Sequence, residues 1–232
     1  MKKYPREAVS TEPVDCRKCT LHRCILFADR ENIQLKPILE SAAAMLFATG
    51  SALYSTGDPA AHIFVIRDGL VKLVQYLADG TQRIVRLLHQ GTIAGLDALV
   101  DRPYEHTAVT LQPTFLCRIP IGAVHRLDAA CPDLHWQLIE RLKGSLHEAD
   151  EWLTELSTGS ARARLARLLV SLAGTADECE IFSRENLGAM LGVTTETASR
   201  TMAEFKREGL VTEMGLYRCR CAVEALREIA TE

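Results

Sequence analysis

No apolar run in these 232 residues approaches the roughly 20 needed to span a bilayer. A transmembrane helix and a membrane partner are therefore not expected. The opening stretch MKKYPREAVSTEPVDC has basic residues but no apolar core behind them, so it does not read as a signal peptide. The expected location is the cytoplasm. Nor is there a surplus of either charge: 27 Lys and Arg stand against 30 Asp and Glu, a net charge of −3. Without a global basic field, any nucleic-acid site must be a local patch. Apolar residues at 47% and charged residues at 25% exclude a disordered or fibrous chain. The length suits one large domain or two modest ones.

Cysteine is what the chain has in unusual amount. Eight are present, and a reducing compartment argues against disulfides. Cys16, Cys19 and Cys24 lie within nine residues, whereas Cys117, Cys131, Cys179, Cys219 and Cys221 are dispersed. Such clustering reads as metal or redox chemistry before it reads as structure. The three clustered thiols with His22 form one possible tetrahedral zinc set, and a thiol–disulfide switch is another reading. Cys131, Cys179, Cys219 and Cys221 read as packing or incidental residues, with Cys219 and Cys221 on one face of a strand.

Four segments follow from texture. Residues 1–30 are a polar, Cys-rich arm that needs a ligand or host surface to become ordered. Residues 31–131 open with a short helical pattern over about 33–44 and then become β-rich. Gly recurs there at 50, 57, 69, 80, 91 and 95, separating runs such as HIFVIRDG, LVKLVQYL, QRIVRLLHQG and FLCRIP. Short strands at this spacing predict an antiparallel roll or barrel, with Asp79-Gly80 as a two-residue hairpin turn. Residues 132–158 are helical. Their apolar positions Ile139, Leu142, Leu146, Ala149, Leu153 and Leu156 alternate steps of three and four, the seam of a parallel coiled-coil dimer. A core helix lying on the roll is the competing reading, but it usually shows a wider apolar face. Residues 159–232 form a compact C-terminal domain, and the class is α+β.

The stretch FSRENLGAMLGVTTETASRTMAEFKREGLV carries the most chemistry. Ser183 caps a helix bearing Leu187, Met190 and Leu191, and Gly192 permits the left-handed turn that ends it. Thr194 caps a second helix that runs to about Glu208, where Gly209 stops it. Two short helices joined by a tight Gly turn make a helix-turn-helix, whose second helix enters the major groove of double-stranded DNA. Its outer face presents Glu196, Ser199 and Arg200. Arg200 can grip guanine O6 and N7 through both arms of its fork, and Glu196 can accept from cytosine N4. Thr195, Thr197, Lys206 and Arg207 are placed for the phosphate backbone, and the hairpin VTEMGLYRCR can serve as a wing. The segment from Ser160 onward is close to neutral. Its basic groups must therefore be segregated, with Arg162, Arg164, Arg200, Lys206, Arg218 and Arg220 the candidates.

This order of roll, long helix and winged helix-turn-helix resembles the Crp–Fnr family of bacterial transcription regulators. The E-T-A-S-R stretch is most similar to the Fnr branch, which carries Glu, Ser and Arg at the spacing of Glu196, Ser199 and Arg200. The resemblance implies a homodimer on palindromes with TTGAT-like half-sites and promoter contacts with RNA polymerase. Cyclic-AMP-binding relatives hold the ribose and phosphate with a Gly-Glu pair and, eleven residues on, an Arg-Ser pair. Here Gly95 is followed by Leu96, and His106 and Thr107 replace the second pair, so cyclic AMP is not expected. The Fnr branch instead binds a [4Fe–4S] cluster through three N-terminal cysteines and a fourth on the roll. The resemblance maps these onto Cys16, Cys19, Cys24 and Cys117. The gap between Cys19 and Cys24 is one residue shorter than the best-known pattern. Oxygen-sensing relatives also carry an acidic residue midway along the seam, where this chain has Ala149. Ready dimerisation without the cluster is therefore expected. Haem, nitric oxide or no effector at all remain open, with His62, His89 and His106 the candidate haem ligands. An enzyme on a cupin-like roll would need a His/carboxylate cluster, and no H-x-H pair is present.

Overall fold

The computed structural model describes residues 4–6, 8–13, 41–130, 132–173, 177–180, 182–215 and 218–231. Cys16, Cys19, His22, Cys24, Cys131 and Gly174 lie outside them, as does most of the helical pattern expected from residue 33. Ala43 and Ala44, the end of that pattern, belong instead to a strand. The chain forms two compact units, residues 1–81 with 85–146 and residues 147–232 with 82–84.

The first unit is a roll of two antiparallel sheets. Strands β1 (Ser10–Pro13), β2 (Ala43–Phe47), β9 (Thr114–Pro120), β4 (His62–Asp68) and β7 (Ile93–Ala94) lie side by side in that order. A second sheet runs β3 (Ala52–Tyr54), β8 (Thr107–Thr110), β5 (Val71–Tyr76) and β6 (Gln82–Leu88). Between the sheets Phe47, Tyr54, Phe64, Ile66, Val71, Leu73, Leu88, Tyr104 and Leu116 form one core. The Tyr54 and Tyr104 rings stack there at 3.8 Å. The outer face of the five-stranded sheet buries a second cluster, including Ile63, Val65, Cys117, Ile119, Ala123 and Val124.

The β5–β6 hairpin differs from the expected two-residue turn. Gly80 N–H bonds to Leu77 C=O and Leu77 N–H to Thr81 C=O, both at 2.9 Å. Ala78 and Asp79 are thus the central pair, and Gly80 follows at φ +83°, the arrangement of a three-residue loop with a bulge. Asp79 accepts from Thr81 N–H at 2.8 Å, and this bond holds its carboxyl below the usual range.

Helix α1 (Ile121–Ala130) follows β9 directly and was not anticipated. Its Ala123 and Val124 cover the second core cluster. Helix α2 (Pro132–Ser157) is the long helix. No helix among the described residues is long and apolar enough to cross a membrane.

The C-terminal unit comprises α3 (Ala161–Ala173), β10 (Glu178–Glu180), α4 (Arg184–Leu191), α5 (Thr195–Arg207), β11 (Val211–Glu213), β12 (Arg218–Cys221) and α6 (Val223–Ala230). Its three strands pair antiparallel in the order β10, β12, β11, and β10 was not expected from the sequence. Helix α3 packs against α6 and the sheet. Arg167 of α3 donates to the carbonyls of Glu155 (3.0 Å), Thr158 (2.8 Å) and Ala230 (2.7 Å). One side chain thereby satisfies the orphan carbonyls that end two helices.

Candidate nucleic-acid interface and cysteine sites

Helices α4 and α5 start as their sequence dictates. Ser183 Oγ accepts from Asn186 N–H and Thr194 Oγ1 from Thr197 N–H, both at 3.1 Å. Gly192 adopts φ +65° between them. Gly188 carries no local signal in the sequence. A Cβ there would lie 2.9 Å from Val193 O and 3.3 Å from Thr195 N, so only glycine lets α4 approach the start of α5. At the far end of α5, Leu210 N–H reaches Phe205 C=O (2.9 Å) and Gly209 N–H reaches Lys206 C=O (3.2 Å). This double bond pattern is a Schellman closure.

Helix α5 is divided cleanly by exposure. Ala198, Thr201, Met202 and Phe205 are buried, and burying a side chain such as Phe205 stabilises by about 1.5–3 kcal/mol. Thr195, Glu196, Ser199 and Arg200 are exposed, Thr197 and Lys206 partly so. Glu196, Ser199 and Arg200 therefore share the outer face at i, i+3 and i+4.

The six basic candidates are not equivalent. Arg162 pairs with Glu208 (2.5 Å) and lies over the Phe205 ring, and it holds the Glu208 carboxyl below its usual range. Arg164 donates to Leu191 C=O (2.5 Å). Lys206 pairs with Glu213. Arg218 and Arg220 share Glu178 at 2.6 and 3.3 Å. Arg200 makes no ion pair or hydrogen bond with a described residue. It is the uncommitted cation of the set.

The seam of α2 is largely outward. Ile139 and Leu142 are 40% and 44% exposed, and Leu146 and Leu153 are each 63% exposed. Ala149 is half-buried. Trp136, 69% exposed, extends the stripe by one step and was not singled out in the sequence. Leu156 departs from expectation. It is buried within its own chain, because α2 ends at Ser157 and Arg167 ties that end to α3. The exposed stripe stops at Leu153.

In the roll, Cys117 lies on the central strand β9, opposite Ala44 and Val65, and is buried. Gly95 precedes a short 3₁₀ turn (Leu96–Val100). Burial, then the positive charge of Arg86, lowers the His106 pKa below the ordinary value. The Thr107 hydroxyl is engaged by Thr56, whose N–H donates to it at 3.1 Å.

Three of the cysteines read as packing residues meet in the wing sheet. Cys179 stands opposite Cys219 across β10 and β12, and Cys221 follows on the same buried face. Cys179 Sγ is 3.0 Å from Cys219 Sγ and 3.4 Å from Cys221 Sγ. All three sulfurs lie within 4.8 Å of one another. The sequence offered half of this signal in the C-x-C of β12. The other half needed β10, which is too short to show a period.

Comparison with known proteins finds two family matches: a cyclic nucleotide-binding domain over residues 45–130 and a Crp-like helix-turn-helix domain over residues 163–229. Electron transport regulator A of Shewanella oneidensis is 27% identical over 226 residues, covering 93% of this chain and 90% of that protein. The fumarate and nitrate reduction regulatory protein of Yersinia pestis is 26% identical, covering 94% of this chain and 90% of that protein. Among solved structures, FixK2 from Bradyrhizobium japonicum matches with a TM-score of 0.73 at 20% identity, covering 81% of this chain and 96% of that one.

Proposed function

Because this chain belongs to the Crp–Fnr family of DNA-binding transcription regulators, and is not an enzyme, we propose that it acts as a cytoplasmic homodimer on palindromic DNA. Residues 159–232 are the reading head, 132–158 the dimer helix, 31–131 the sensory roll and 1–30 its arm. Helix α5 enters the major groove. Arg200 reads a guanine, Glu196 a cytosine, and Ser199 a base or phosphate. Thr195, Thr197 and Lys206 fix register on the backbone, with Lys206 exchanging Glu213 for a phosphate oxygen. The observation that carries this reading is the outer face of α5, where Arg200 is uncommitted while Arg162, Lys206, Arg218 and Arg220 are each paired with a carboxylate. The half-site is TTGAT-like, and RNA polymerase is the downstream partner. A competition titration at fixed salt tests it. The TTGAT palindrome should outcompete a scrambled duplex, and equal competition overturns the assignment.

The proposed signal is oxygen or redox state, sensed through a [4Fe–4S] cluster held by Cys16, Cys19, Cys24 and Cys117. Four thiols are the donor set that such a cluster takes. Cys117, the one of the four within the described residues, is buried with its sulfur on the central strand of the roll. Bound there, the group would supply one-electron chemistry and sensitivity to oxygen. Strand β9 leads without a break into α1, so a ligand at Cys117 acts on the strand that leads toward the dimer helix. Cyclic AMP is not the effector in this reading, since the positions of the Arg-Ser pair hold a His106 whose burial disfavours its charged form and a Thr107 already engaged by Thr56. Anaerobic purification followed by an absorption spectrum tests the cluster. A broad shoulder near ~400–420 nm that fades in air is expected. A sharp Soret band or a colourless zinc protein overturns it.

A further inference from the structure

The thiols of Cys179, Cys219 and Cys221 lie far along the chain from the four assigned to the cluster, and nothing in DNA recognition uses them. We propose that this buried trio is a binding site for a soft, trivalent, three-coordinate ion of the arsenite class.

The fold builds the site. Antiparallel pairing puts Cys179 directly across from Cys219, and the period of two along β12 puts Cys221 on the same inward face as Cys219. The three residues are 5%, 1% and 3% exposed, and α3 packs over β10 and β12. Among the described residues no His, Asp or Glu joins the group. The site therefore offers three sulfur donors and excludes water.

That donor set selects its ion. Structural zinc takes four ligands, and an iron–sulfur cubane takes four thiolates; neither is completed here. Cuprous ion favours sulfur, but three thiolates around a single positive charge leave a buried dianion, which is costly without paired cations. The nearby Arg218 and Arg220 are on the outward face, paired with Glu178, and Lys206, whose charge reaches Cys219, is already paired with Glu213. A trivalent ion with three thiolates is neutral.

Shape agrees with charge. Three bonds of about 2.3 Å in one plane space their sulfurs about 4 Å apart. Two edges here are shorter, at 3.0 and 3.4 Å. Sulfurs drawn together suit a pyramidal ion whose lone pair points away from them. The reaction balances without an oxidant: arsenous acid and three thiols give the tris-thiolate and three waters. Three As–O bonds break and three As–S bonds form, and each thiol proton leaves on a hydroxide as water.

The test uses the full chain with C16S, C19S and C24S, which removes the competing thiols of the arm and leaves five cysteines of the eight. Titrated with arsenite under reducing, anaerobic conditions, it should bind one equivalent and gain the mass of one arsenic less three hydrogens. A near-ultraviolet sulfur-to-arsenic band should rise with it. C179S, C219S or C221S should each weaken binding by at least the roughly 10–100-fold that even outer-shell changes cost, while C117S leaves it intact. If a serine variant fails to fold, labelling of the parent in urea decides, with arsenite protecting three of the five thiols. No uptake, uptake that survives C221S, or protection of only two thiols overturns the proposal. An equally tight zinc complex overturns it as well.

Discussion

At the scale of single residues, the chemistry of Arg200 depends on its freedom from internal partners. Arg162, Arg164, Lys206, Arg218 and Arg220 are each held by a carboxylate or a carbonyl. A DNA complex that recruits them must first break those bonds, whereas Arg200 is available at once. Arg200→Ala should weaken binding by about 1–3 kcal/mol and erase the preference at one guanine, with other positions unchanged. Binding assays on half-sites with each base at that position check this; undiminished discrimination counts against the role. A second residue-scale prediction concerns pH. Burial, reinforced by Arg118 for His62 and Arg86 for His106, keeps both imidazoles below the usual 6.5. Above that value both are neutral whether the chain is folded or not, and they contribute nothing to the pH dependence. As pH falls through about 6.5, the unfolded chain takes up protons that the folded roll resists, so stability declines toward acid. Urea unfolding between about pH 7 and pH 5 should show that decline, and H62Q with H106Q should flatten it.

At the scale of elements, the helix-turn-helix rests on a close approach rather than on side-chain contacts alone. Gly188→Ala places a methyl 2.9 Å from Val193 O, which is backbone and has little room to give. Such overpacking should cost about 1–3 kcal/mol, read as a lower Tm with DNA binding lost in proportion. Arg167→Met should likewise loosen the end of α2, since the carbonyls of Glu155, Thr158 and Ala230 lose their donor. A loss of about 1–3 kcal/mol is expected there, measurable by urea unfolding. These two residues also mark the limit of what the sequence discloses. The caps at Ser183 and Thr194, the closures at Gly192 and Gly209, and the strands 62–68, 71–76, 82–88 and 114–120 were legible because each is written in local pattern or turn chemistry. Gly188 sits inside a helical pattern, where its packing role has no local signature. Arg167 looks like one more polar position of an amphipathic helix. Strand β10 has three residues, too few for a period, and without it Cys179 has no visible relation to Cys219. The burial of Leu156 was equally hidden, because a heptad reads on past the point where tertiary contacts take a residue out of the seam.

At the scale of the whole molecule, the palindrome reading proposed above needs a two-fold assembly, and the exposed stripe of α2 is the surface proposed for it. Trp136, Ile139, Leu142, Leu146 and Leu153 present large apolar groups to solvent along one helix, at steps of three, three, four and seven, with the smaller Ala149 inside the last step. Burying a leucine stabilises by about 1.5–3 kcal/mol, and in a two-fold pair every such residue counts twice. The same symmetry makes the stripe sensitive to charge. Leu146→Glu or Leu153→Glu would set like charges facing each other across the axis, so either variant should sediment as a monomer where the parent is a dimer. Half-sites one helical turn apart, about 34–36 Å, then lose cooperative occupancy, although each α5 keeps its fold. Ala149 sharpens the prediction. It is small and half-buried on the seam and brings no repulsion to be overcome, so the aerobic apoprotein should already be dimeric at micromolar concentration. On that prediction the proposed signal acts on how the reading heads engage DNA, or not at all, rather than on whether two chains meet. Sedimentation of air-exposed protein decides between these modes. A clean monomer would place control at dimerisation and remove the premise that the helix pairs unaided.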